Sequence, residues 1–320
     1  MGVLKRWFQG VVWVGALTAP FAVQANDSSS ALKAGGVVLT QSDEIAMESE
    51  NLVINSENIF IDYRFRNTSD KAVTTRIAFP LPDISFEDAF YNHPSFPVDD
   101  PMNFVGFQTK VNGAPVVMES SHRMWVKGKD VTEEYMSVGF PPSMADRRFF
   151  EKADKEFDDA LLARLGANKP SELIQKTHFH WRQTFPPKQT VQISHVYKPV
   201  AGYVPIYGDM TKQLISGIWR EQYCIDDAAA RKINALYDLS RGEKALNIVR
   251  EVDYILTTGN NWKEAIESFR LRVEAKGRYS YAAFCTPDGK AGLFGKVLEI
   301  EYEKFRPKKE LNILFFGAWR

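Results

Sequence analysis

Ile59-Phe60-Ile61-Asp62-Tyr63-Arg64-Phe65-Arg66 decides the fold class of this chain. Ile59, Ile61, Tyr63 and Phe65 occupy every second position, and the positions between them are mostly charged. Successive side chains of a strand point to opposite faces, so this stretch reads as a strand that is dry on one side and wet on the other. Asn67-Thr68-Ser69-Asp70 supplies turn chemistry, and Val73, Thr75, Ile77 and Phe79 resume the alternation until Pro80 and Pro82 stop it.

The same period recurs along the chain. Val105, Phe107, Thr109 and Val111 lead into Asn112-Gly113, a strong two-residue hairpin signal, with Val116 and Met118 returning. Phe179, Trp181 and Phe185 share a face, Pro186 to Gln189 bend the chain, and Val191, Ile193 and Tyr197 return, which predicts a second hairpin. Phe269, Leu271 and Val273 alternate with Arg270, Arg272 and Glu274; Tyr279 to Cys285 turns at Pro287-Asp288-Gly289; Leu298, Ile300 and Tyr302 alternate with Glu299, Glu301 and Glu303. Leu311 to Phe316 is apolar on both sides and reads as a strand buried on both faces.

Helical period is confined to two places. Between Pro142 and Lys176, Phe150, Ala153, Phe157, Leu161 and Leu165 recur at three- and four-residue spacing, which predicts one amphipathic helix capped by Gly166. Ser171 to Lys176 is read as a short second helix. Asp226 to Tyr237, with Asp at the cap and an Ala-rich interior, predicts another. Strands running with strands and few helices give a mainly β fold of antiparallel, β-sandwich-like architecture. A helical insertion is expected at about 143–176, and a partly helical connector at about 208–250.

The start of the chain bears on location. Lys5 and Arg6 precede an apolar run from Trp7 to Val23, and small residues close it at Val23-Gln24-Ala25. That is the layout of a secretory signal peptide cut near Ala25, so the expected site of action is the periplasm or the medium, and the expected organisation is a leader over 1–25, a first domain over 26–200 and a second over 201–320. The chain carries 40 basic and 40 acidic residues; losing Lys5 and Arg6 leaves the remainder at −2. No basic stripe suits nucleic acid, and no transmembrane helix is expected in the mature chain. Cys224 and Cys285 are the two cysteines, and outside the cytoplasm such a pair is expected to be a structural disulfide.

Chemical motifs are sparse. His178-Phe179-His180, with His195 on the next strand, is the sharpest candidate for a zinc site. The alternation opposes it: His178 and His180 fall opposite Phe179 and Trp181, whereas His195 is in phase with the apolar set Val191, Ile193 and Tyr197. By that phase His178 and His180 are solvated and His195 is partly buried. Gly289 to Lys296 fails the spacing of a phosphate loop, and no nucleophile elbow or His-Glu-x-x-His helix occurs. No cofactor is called for. Tyr203, Tyr207, Trp219 and Trp262 lie in an aromatic-rich stretch, where contact with a glycan or an envelope protein and packing in the core both stay open. The expected role is a non-catalytic binding or structural module of the cell envelope; the alternative is a metal-dependent envelope enzyme using His178, His180 and His195.

Gly35-Gly36-Val37, the run Met47 to Leu52, Tyr63-Arg64-Phe65-Arg66-Asn67, Phe79-Pro80-Leu81-Pro82-Asp83, His195 to Val200 and Leu256 to Trp262 together resemble a secreted bacterial family labelled domain of unknown function 4424. The resemblance covers most of the chain and implies no activity, so it carries no site residues over. Phe65 to Ser69, Phe79 to Pro82 and Val111-Asn112-Gly113 are also similar to the β-sandwich module at the start of inter-α-trypsin inhibitor heavy chains, which implies an all-β first part.

Overall fold

A computed structural model describes residues 28–33, 36–91, 96–206, 217–239, 247–288 and 291–318. The expected leader and Tyr207 lie outside them. Strand outweighs helix and is arranged in three sheets among the described residues. The first runs β10 (Lys129–Asp130), β9 (Glu119–Val126), β11 (Leu173–Phe185), β5 (Val73–Pro80), β1 (Ser28–Lys33), β2 (Gly36–Thr40), with β6 (Ile84–Ser85) also against β11. The middle sheet runs β18 (Val297–Phe305), β15 (Ile266–Glu274), β3 (Ile45–Asn55), β4 (Ile59–Asn67), β12 (Thr190–Tyr197), β7 (Gln108–Val111), β8 (Ala114–Pro115). The third runs β13 (Gly202–Ile206), β14 (Asn247–Tyr254), β19 (Leu311–Ala318), β16 (Tyr279–Cys285), β17 (Ala291–Phe294).

The opening stretch is β4, and its burial alternates without a break from Ile59 to Asn67. Its dry side chains pack against the first sheet, where Phe65 meets Phe185 with ring centroids 6.2 Å apart; just before β7, Phe107 stacks on Phe79 of β5 at 4.8 Å. Aromatic pairs add to the area term that drives such packing. Asn112 and Gly113 both take positive φ, 49° and 82°, and join β7 to β8, which is the hairpin expected from Asn-Gly.

The expected hairpin across Pro186 to Gln189 is corrected. β11 belongs to the first sheet and β12 to the middle one, so the bend is an arch between layers. The Asn67–Asp70 turn is a second arch beside it. Asn67, fully buried, joins the two by donating Nδ2–H to the carbonyls of Lys71 at 2.7 Å and Phe185 at 2.9 Å. Alternation reports which face is dry; it does not report whether the next strand pairs or stacks.

The long helix expected around Phe150 to Leu165 is two. α3 (Arg147–Glu156) and α4 (Asp159–Leu165) break at Phe157-Asp158, where the Asp158 carboxylate caps α4 by accepting the Leu161 N–H at 2.8 Å. Gly166 closes α4 in the left-handed region at φ 80°, as expected. The second helix expected over Ser171 to Lys176 is a short 3-10 turn at Pro170–Glu172, after which β11 begins. Earlier in the chain lie α1 (Phe86–Tyr91) and α2 (Thr132–Ser137). A buried polar network ties the insertion to the sheet: Gln175 Oε1 accepts the Met144 N–H at 2.5 Å, and its Nε2 donates to Thr177 at 2.9 Å.

α5 (Ile218–Gln222) and α6 (Asp227–Leu239) cover one face of the third sheet. Trp219, Tyr223, Ile225 and Ile233 pack there on Val249, Leu314 and Phe316. Val252, Tyr254, Ile313 and Phe315, on the opposite face, belong to the core that both other sheets share. β19 is therefore dry on both sides, as its composition requires. The middle sheet takes strands from both sides of residue 200, because β3 lies parallel to β15, the one parallel pair among the described strands.

Candidate functional site

The inner face of the middle sheet is consumed by the core, and its outer face carries no covering layer among the described residues. Cross-strand register lays this face out in rows. Val196, Phe60 and Val53 are successive neighbours across β12, β4 and β3, followed by Arg272 on β15 and Glu299 on β18. Phe60 is 42% exposed, the one fully apolar residue on the wet face of β4. The next row reads Lys110, Ser194, Asp62, Asn51, Arg270 and Glu301.

Local chemistry fixes these side chains. Ser194 donates its hydroxyl to Asp62 Oδ1 at 2.6 Å. β3 carries an irregularity between Met47 and Ser49 that sends Glu48 onto the face; bulges commonly re-aim a side chain in this way. Glu48 lies 3.8 Å from Arg64 and 3.5 Å from Arg66, and accepts the Thr190 hydroxyl at 3.0 Å. Arg270 pairs with Glu299 and, at 3.4 Å, with Glu301, while Arg272 reaches Glu299 at 3.5 Å. These exposed pairs add little stability. They hold donors and acceptors on the same exposed face as the Phe60 ring.

The histidines do not share a face. His195 is 3% exposed inside the sandwich, its Nδ1 2.5 Å from the Thr109 hydroxyl and its ring against Phe79, Phe107 and Trp181 at 5.2, 4.9 and 5.6 Å. His178 and His180 sit on the far side of β11 from Trp181. Both were expected to be solvated, and this is corrected: His180 is buried, and His178 is half-buried. Burial, reinforced by the nearby Lys176 and His180, pulls His178 down to about 4, so it is neutral at physiological pH. Among the described residues no three His, Cys, Asp or Glu gather to hold a metal ion.

The aromatic candidates fall inside or out of view. Trp219 is 7% exposed and packs edge-on to Phe316. Trp262, 3% exposed, lies 4.5 Å from the Phe65 ring, after a 3-10 turn at Thr257–Asn261. It closes the end of the sandwich and presents no contact surface. Tyr203 sits on β13 opposite Arg250.

Cys224 and Cys285 form a disulfide that pins the end of α5 to the end of β16. Beside it opens a cavity of about 320 Å³ lined by Glu221, Gln222, Cys285, Lys309, Glu310 and Asn312. Its deepest acid is already committed: Glu310 accepts N–H bonds from Leu256 and Thr257 at 2.6 and 3.1 Å and the Thr257 hydroxyl at 2.5 Å. The open face of the middle sheet, with its uncommitted ring and amides, is the better candidate site. Sequence reasoning passed over it because alternation marks a wet face without saying whether anything lies on it; Phe60 standing among charges was the available signal.

A family model described as Domain of unknown function (DUF4424) matches residues 25–314. No curated protein matches the sequence. Among solved structures the chain is similar to a candidate nutrient-binding protein of Legionella pneumophila, with 17% identity and a TM-score of 0.44 over 92% of this chain and 72% of that one. It is also similar to an M1 zinc metallopeptidase of Deinococcus radiodurans, with 12% identity and a TM-score of 0.30 over 87% of this chain. The match spans 44% of that enzyme. Scores of this size carry no argument about role.

Proposed function

The chain belongs to the DUF4424 family of domains of unknown function, and from that premise we propose that it is an exported cell-envelope module that binds a glycan without transforming it. The observation that carries the reading is the open face of the middle sheet. Phe60 offers a ring on which a sugar can stack, and Asn51, Asp62, Gln108, Gln192 and Ser194 offer hydrogen-bonding groups in register around it. An open sheet face matches an extended polymer better than a compact metabolite, which wants a concave pocket.

Export is supported by the basic and then apolar layout of the first 25 residues and by the disulfide, which suits an oxidising compartment. No helix among the described residues is long and apolar enough to cross a membrane.

The test is binding of the purified protein to an array of linear hexose and N-acetylhexosamine oligomers, repeated with Phe60→Ala and with Asp62→Ala. A tenfold loss of affinity in either variant, about 1.4 kcal/mol, with an unchanged melting profile, is the expected result. Absence of binding to any oligomer, or binding that ignores both substitutions, overturns the glycan reading. Cell fractionation with and without residues 1–25 tests export separately.

A further inference from the structure

Free sheet edges invite another strand, and folded proteins usually blunt them by shortness, proline or charge. Most edges of this molecule obey that rule. β10 and β8 are two residues long, β8 carries Pro115, β13 carries Pro205, and β17 has four residues. β18 is guarded by charge alone, through Glu299, Glu301 and Glu303 on its wet face. It is nine residues long, contains no proline, and pairs with β15 alone among the described strands.

We propose that the open edge of β18 is a docking site for an extended segment of a partner protein, one in which arginine or lysine alternates with apolar residues. The template for such a segment is already bound to the other edge of β18. β15 places Arg272 and Arg270 opposite Glu299 and Glu301 on the wet face, and Val273, Leu271 and Phe269 opposite Leu298, Ile300 and Tyr302 on the dry face. A second strand of the same alternation on the outer edge repeats both sets of contacts. The wet face has acid to spare: Glu303 stands opposite Ser268 and has no cation partner among the described residues. The dry face has apolar surface to spare, because Leu298, Ile300 and Tyr302 are only half-buried where the sheet ends.

A second copy of this chain does not fit. Antiparallel pairing of β18 with itself sets glutamate rows side by side, and like charges across strands are destabilising. The positive φ of Lys304, 49°, ends the straight part of the strand, so the docked segment lies along 297–303. This mode adds main-chain hydrogen bonds for affinity and alternate side chains for specificity. It uses the backbone edge of β18 and not Phe60, so its test is independent of the glycan reading.

The probe is a fluorescein-labelled nine-residue peptide of alternating Arg and Val. Two controls replace Arg with Glu, or N-methylate alternate amides of the Arg peptide. Saturable binding of the first peptide, at least tenfold weaker binding of both controls, and slowed amide exchange confined to β18 are expected. The same loss is expected when the Arg peptide meets a Glu301→Lys, Glu303→Lys variant with native circular dichroism. If that variant does not fold, the N-methylated control still tests backbone pairing. Equal binding of all three peptides, no binding of the Arg peptide up to about 1 mM, or protection away from β18 overturns the proposal.

Discussion

Replacing Asp253 with asparagine is expected to stabilise this protein at neutral and alkaline pH and to leave it unchanged near pH 4. Asp253 lies on the helix-covered face of β14, and its Oδ1 has no hydrogen-bond partner. Burial is the largest cause of its upward shift, and the charges of Glu251 and Asp88 add to it, raising the carboxyl from 3.8 to about 7. Glu251 is itself engaged, accepting the Tyr223 hydroxyl. Below pH 4 the folded and unfolded chains both hold the Asp253 proton. Between about pH 4 and 7 the unfolded chain has released it and the folded chain has not, so this group makes stability fall as pH rises. A gap of about three units corresponds to about 4 kcal/mol, and the residual solvent access of the side chain reduces the expected gain to between about 1 and 4 kcal/mol. Urea unfolding of parent and variant at pH 4, 6 and 8 measures it. The variant-minus-parent difference should be near zero at pH 4 and grow monotonically. A flat difference, or one that turns against the variant as pH rises, refutes the assignment of a buried protonated acid.

Two further outcomes follow from backbone constraints. Reducing Cys224–Cys285, or replacing both residues with serine, releases a loop with a sequence separation of 61, and the chain-entropy account puts the loss at about 4 kcal/mol in urea unfolding; an unchanged midpoint would remove the bridge from the stability argument. Gly317→Ala is expected to cost more than the small effect usual for a strand glycine, because a Cβ there would lie 2.6 Å from the Arg278 carbonyl oxygen, where β19 runs beside an irregularity in β16. Thermal melting should show a clear drop for Gly317→Ala, and a drop under about 1 °C would mean that the two strands separate at little cost.

How much of this was legible in the sequence depends on the range over which each contact acts. β4, β5, β15 and β18 were readable because a period of two is written in neighbouring residues, β19 because its apolar run is unbroken, β16 because a Pro-Asp-Gly turn follows it, and Asp226 announced its helix by accepting the Ala229 N–H at 2.7 Å. The Asn112-Gly113 hairpin was readable for the same local reason. The arch at Pro186 to Gln189 was not, since the same proline-containing bend serves a hairpin and a layer change. The split of one expected helix into α3 and α4 turns on Asp158, which fits a helix surface and an N-cap equally well until the chain direction is known.

The parallel contact of β3 with β15 lies beyond local reading altogether, and it matters most for function. Arg270 and Arg272 reach the open face only because β15 aligns Arg270 with Asn51 and Arg272 with Val53, residues more than two hundred positions earlier. Without that pairing the face around Phe60 would end at β3, and the glutamates of β18 would have no sheet to extend. Tyr254 shows how the join is held from within: its hydroxyl donates to Glu50 Oε1 at 3.2 Å and lies 3.3 Å from the Tyr63 hydroxyl, a buried polar contact between the third sheet and the middle one. Burying those groups unpaired would be expensive, so the third sheet and β3 are constrained to one registration. The open face and the free edge are therefore products of long-range register: Phe60 among charges marks a spot on the face, but nothing near it in sequence says which strands extend that face or where the sheet ends.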